Sequence, residues 1–108
     1  MRILHLLYAA LAAGVLTLGA TPAIADCKAD LATVDKSFEE TIKRLETAAK
    51  GTQTQKCAAY RSHVAVMTKG RDVFMRCTTG HTQRENVGQM SDSIGDFVEL
   101  IKTKCSKY

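Results

Sequence analysis

Past Cys27, apolar residues recur every three or four positions along the chain, the spacing that places them on one face of a helix. The first such run spans roughly Lys28 to Lys50, with Leu31, Val34, Phe38, Ile42, Leu45 and Ala49 on one stripe. Its other faces carry Glu39/Lys43, Glu40/Arg44 and Glu46/Lys50, each spaced i,i+4 with the acid first, a weakly helix-supporting order. Gly51 is a natural stop. Thr52-x-x-Gln55 then reads as a capping box that opens a second helix running to Cys77. A third helix is predicted to enter through Thr82-x-x-Glu85, after a stop at Gly80. Its stripe is Val87, Met90, Ile94, Phe97 and Ile101, and it ends at Cys105. No strand-like alternation, internal repeat or low-complexity tract interrupts this pattern.

The cysteines convert three helices into an arrangement. The stretch from Cys57 to Cys77 contains no proline and makes one helix about 30 Å long. Bridged cysteines have Cα atoms roughly 4.4–6.8 Å apart, so these two cannot bond each other. Short links make neighbouring helices antiparallel, giving an up-down-up order. Cys27 and Cys77 then share one end, and Cys57 and Cys105 the other. At 100° per residue, Cys57 groups with Tyr60, Val64, Met67 and Phe74, whereas Cys77 groups with Ala59, Val66, Gly70 and Val73. The middle helix therefore has two apolar faces, each ending in a cysteine aimed at a different neighbour. The expected bridges are Cys27–Cys77 and Cys57–Cys105; the alternative, Cys27–Cys57 with Cys77–Cys105, needs a different topology. The fold class expected is all-α, a disulfide-stapled three-helix up-down-up bundle.

Residues 1–25 stand apart. Met1-Arg2, the apolar run from Ile3 to Leu18 and Ala23-Ile24-Ala25 have the layout of a cleaved secretory signal peptide. Residues 26–108 then form one small helical domain carrying all four cysteines, and an even count in a short exported chain implies disulfides. A core of this size is marginal by itself, so staples make physical sense. The expected location is periplasmic or secreted, with no membrane span in the mature chain. Without Arg2, the domain holds 14 Lys+Arg against 11 Asp+Glu, a balance of +3 that is too weak to argue for nucleic acid or a membrane surface.

Candidate chemistry is sparse. No CxxC, GxSxG, HExxH or phosphate-binding glycine loop occurs, and bonded cysteines are not nucleophiles, so no catalytic residue, metal ligand or cofactor is assigned. His63 and Met67 sit i,i+4 and, with Met75, His81 and Met90, raise a soft-metal carrier as one alternative. Met67 and Met90 fall on core stripes, where methionine fills gaps. Arg71 lies on an apolar face between Met67 and Phe74. Its stem is expected to pack on the core with its head at the rim, paired with Asp92 or Asp96; the sharper reading is a charge placed for an anionic ligand. Gly88 and Gly95 flank the third stripe, and their helix cost of about 1 kcal/mol each calls for close helix packing or a groove for a partner segment. Lys50, Lys56, Lys102, Lys104 and Lys107 gather at one predicted end. Helix C-termini favour lysine, which accounts for several of these, but Lys56 lies near a helix start and is a candidate contact for an acidic partner.

The opening Cys27-Lys-Ala-Asp-Leu31-Ala-Thr-Val-Asp35-Lys-Ser-Phe38, and Cys77-Thr78 ahead of an amphipathic C-terminal helix, resemble the two cysteine regions of periplasmic acid-stress chaperones of the Hde type. Cys57 and Cys105 lie outside that pattern. The resemblance implies holding of unfolded clients at low pH. The residues themselves point first to a small non-enzymatic binding or interaction protein of the cell envelope with an unknown protein partner. The stress chaperone and the metal carrier stand as alternatives.

Overall fold

The structure, a computed structural model, describes residues 16–108, with side chains from Asp26 onward. Three helices follow one another: α1 (Leu16–Ala48), α2 (Gln53–Cys77) and α3 (Gly80–Lys104). Among the described residues there is no strand. Residues 1–15, which hold most of the apolar run of the expected leader (Ile3 to Leu18), lie outside the described residues. α1 starts well before the expected Lys28, running on through Gly19 and Pro22, although Pro22 has no N–H to give to the backbone ladder, so the expected cleavage point has no counterpart in a helix end.

Thr52 opens α2 with a complete capping box: Gln55 N–H donates to Thr52 Oγ1 (3.1 Å) and Thr52 N–H donates to Gln55 Oε1 (2.8 Å). Gly51 leaves room for that side chain, since a Cβ there would collide with Gln55. At the other end of α2, Thr78 N–H and Oγ1–H both donate to Phe74 C=O (3.1 and 2.6 Å). The chain then reverses through Gly80 at φ +64°, a backbone conformation that only glycine adopts cheaply. The predicted entry box at Thr82 does not form. Thr79 is the N-cap and makes no side-chain cap bond, while Glu85 is held by His81 (2.7 Å). Gln83 instead reaches back, donating to the carbonyls of Met75 and Thr78 (3.0 and 2.7 Å), which α2's own ladder leaves open.

Disulfides join Cys27 to Cys77 (Cα–Cα 5.4 Å) and Cys57 to Cys105 (5.7 Å), the pairing expected from the up-down-up order. α1 and α3 each pack along α2 and, among the described residues, not against each other: no Cα of one lies within 8 Å of the other. Val34, Thr41 and Ala48, spaced by seven, form the buried seam of α1. They meet the α2 face of Ala59, Gly70 and Val73. Gly70 is required there, because a Cβ would stand 2.9 Å from two ring carbons of Phe38. Cys57 is bonded to Cys105 of α3, and Met67 of α2 and Met90 of α3 are both buried. The fully closed core is thin; Phe38, Phe74, Phe97, Ile94 and Ile101 are all only half-buried. One bridge at each end offsets that shortage.

Candidate functional site

His63 is the residue that touches all three helices. It is 6 % exposed, at the middle of α2 between that helix's two apolar faces. Nδ1 lies 3.3 Å from Thr41 Oγ1 of α1, and Nε2 lies 3.1 Å from Ser93 Oγ of α3. The imidazole packs on Phe97 (centroids 4.2 Å), which also meets Tyr60 edge-on (5.8 Å). Burial lowers the His63 pKa below the usual 6.5, so the ring is neutral in the core near pH 7. A neutral imidazole donates through one nitrogen and accepts through the other, and the two hydroxyls adapt to either tautomer.

A histidine beside a serine hydroxyl invites a catalytic comparison. Here Nδ1 is met by a threonine rather than a carboxylate. Ser93 lies in the interior of α3, where the neighbouring N–H groups are spent on the helix ladder and cannot serve as oxyanion donors. The junction acts as a polar pin through a thin core. Sequence reasoning missed Thr41 and Ser93. The available signal was register: Thr41 stands seven after Val34, and Ser93 three after Met90, hydroxyls at core positions facing a histidine.

Of the other residues considered as soft ligands, Met67 and Met90 are buried, Met75 is 55 % exposed and His81 Nε2 lies 2.7 Å from a Glu85 carboxylate oxygen. Among the described residues no group of three His, Cys, Asp or Glu side chains is placed to hold a metal ion. Arg71 donates to Ser91 Oγ (3.3 Å) and, among the described residues, has no carboxylate within 4 Å, so the expected pairing with Asp92 or Asp96 does not occur. Those two residues are exposed. Gly88 and Gly95 are also exposed, and a Cβ on either would meet nothing within 4 Å. Close helix packing is therefore not what they serve. The three acid-first pairs on α1 make no contact within 4 Å either; Arg44 donates to Ser62 of α2 instead (2.7 Å).

The lysines behave differently, because the fold gathers them. Beyond the level of the Arg44–Ser62 bond, residues 46–61 and 99–108 share the end closed by Cys57–Cys105. Gln53 Nε2 donates to Lys104 C=O there (3.2 Å), and Arg61 donates to the main-chain oxygens of Tyr108 and Cys105 (2.6 and 3.2 Å). This end holds Lys50, Lys56, Arg61, Lys102, Lys104 and Lys107 against Glu46 and Glu99, a balance of +4. The rest of the chain from Asp26 onward has eight basic residues against nine acidic, a balance of −1. Lys50, Lys102, Lys104 and Lys107 are exposed, Lys56 is half-buried, and among the described residues none has a carboxylate within 4 Å. Clefts of about 380 and 670 Å³ lie along the α1–α2 seam, the first bounded by Asp30, Lys69, Asp72 and Arg76, and the five lysines line neither.

No family model, no curated protein and no solved structure matches the chain.

Proposed function

We propose that this chain is an exported, non-enzymatic interaction protein of the cell envelope, periplasmic or secreted, that docks on an anionic partner through the end closed by Cys57–Cys105. The observation that carries the reading is the separation of charge, +4 at one end against −1 over the remainder. Such a moment orients the molecule end-on toward negative charge before contact. Two disulfides are consistent with an oxidising compartment, and among the described residues no helix is long and apolar enough to cross a membrane. The leader-like residues 1–25 supply the route of export. The test is retention on immobilised polyglutamate by the oxidised protein and by its K50E/K56E/K102E/K104E variant. The wild type is retained and released by salt, and the variant passes through. Equal retention of the two places the binding charge elsewhere and refutes the reading.

His63 favours a second reading, the acid-stress chaperone that the two cysteine regions resemble. A neutral imidazole joining three helices through a thin core becomes a buried cation in acid, which loosens the helices and exposes their half-buried apolar stripes. The test is suppression of client aggregation at about pH 3 and at neutral pH with both disulfides intact. Protection confined to acid supports this reading, and no protection at either pH removes it.

A further inference from the structure

We propose that the basic end docks on the surface of an anionic phospholipid bilayer, with Tyr108 settling at the headgroup level. This inference rests on the reading of that end as the docking site and names its partner. Three features separate a charged planar surface from an acidic protein.

The first is shape. The cations are distributed over three chain segments, the end of α1, the start of α2 and the end of α3 with its tail, and none of the five lysines lines either cleft of the α1–α2 seam, although the larger of the two reaches this end at Thr47, Gln55 and Ala58. A peptide or compact anion is held in a concavity, whereas a sheet of headgroups needs only charges on a common end.

The second is the type of cation. Five of the six cations at this end are lysines, strongly hydrated point charges on flexible stems, suited to diffuse and mobile phosphates. The single arginine at this end is consumed internally: Arg61 spends its guanidinium on the main-chain oxygens of Cys105 and Tyr108. A site built for bidentate recognition of carboxylates uses the arginine fork outward.

The third is the tip. Tyr108 is held in place through its main chain by Arg61, yet 51 % of it is exposed, so an aromatic residue is presented on the chain segment that also carries the exposed Lys104 and Lys107. Tyrosine beside lysine is the pairing that sits at a bilayer interface, ring among the glycerols and ammonium among the phosphates.

The experiment is co-sedimentation of the oxidised protein with phosphatidylglycerol-containing vesicles and with pure phosphatidylcholine vesicles, at low and high salt. Alongside it run K50E/K56E/K102E/K104E, checked for helicity and intact disulfides, and Tyr108→Trp as a fluorescent reporter in a chain that has no tryptophan. All forms share the same N-terminus, so any contribution of residues 1–25 cancels. The expected result is binding to the anionic vesicles alone, weakened about tenfold or more by salt and by the four reversals. The indole emission of the Tyr108→Trp reporter shifts to the blue when those vesicles are added. Equal binding to both vesicle types overturns the inference. So does retention on polyglutamate without vesicle binding, which leaves the docking end intact and makes its partner an acidic protein. Loss of both removes the docking end as well.

Discussion

Removing the Cys27–Cys77 bridge, as C27S/C77S, tests how the helices depend on one another. The bridge spans 50 residues and the other spans 48, so loop-closure entropy assigns each a stabilisation of about 4 kcal/mol. For a domain of this size that corresponds to a fall in Tm of roughly 15–30 °C. The location of the loss is the sharper expectation. Among the described residues α1 packs along α2 and has no Cα within 8 Å of α3, so C27S/C77S releases α1 from its Cys27 end, where the remaining anchors are the exposed Arg76–Asp30 ion pair (3.0 Å), Val34, Thr41 and Ala48, Phe38 on Gly70, and the Arg44–Ser62 bond. The α2–α3 hairpin keeps its own staple and the buried Met67 and Met90. C57S/C105S does the converse, releasing α3 while α1 and α2 stay paired. Native-state hydrogen exchange, read helix by helix in a stabilising osmolyte, checks this. Selective loss of α1 protection in one variant and of α3 protection in the other is expected. Equal loss across all three helices in both variants would refute the argument that α1 and α3 communicate only through α2.

Single positions carry further expected outcomes. Because burial depresses the His63 pKa, the unfolded chain binds the proton first, and the stability contributed by the neutral ring is complete above about 6.5 and lost as pH falls through the folded-state value. Urea titrations across that range should show the decline in the wild type and a flatter profile in His63→Phe. That variant starts about 1–3 kcal/mol lower at neutral pH, because the Thr41 and Ser93 hydroxyls lose their partner; an unchanged slope would clear His63 of the pH dependence. Gly70→Ala should destabilise by about 1 kcal/mol net, overpacking against Phe38 exceeding the gain in helix propensity. Gly88→Ala and Gly95→Ala meet open space and should each raise stability by up to about 1 kcal/mol in thermal melts; a loss at either would show that the position is packed.

The candidate site was only partly legible in the chain. Lys50, Lys56, Lys102 and Lys104 could be assigned to one end, since topology alone puts them there. Their weight could not be judged, because a total of +3 says nothing about where the field is strong. Arg71 was recognised as out of place on an apolar face, but its partner is Ser91 rather than a carboxylate. Spacing along a helix fixes the direction in which a side chain leaves and not the reach of the neighbour it meets. Gly88 and Gly95 illustrate the same gap: both flank the α3 stripe, and only the position of α2 shows that no helix comes near them.

What the sequence determined by itself is local or topological. Apolar spacing sets the three helices, Thr52 and Gln55 set the entry to α2, and the length of the Cys57–Cys77 helix forbids one bridge and leaves two at opposite ends. These follow from geometry within one helix or from the order of short links. The tertiary structure alone decided that α1 and α3 each pack along α2, with no Cα of one within 8 Å of the other among the described residues, that His63 joins Thr41 to Ser93, and that a modest net charge resolves into a strongly basic end and a nearly neutral body. The physical reason is common to all three. Contacts and fields depend on distances between residues far apart in the chain, and those distances exist only once the helices have packed.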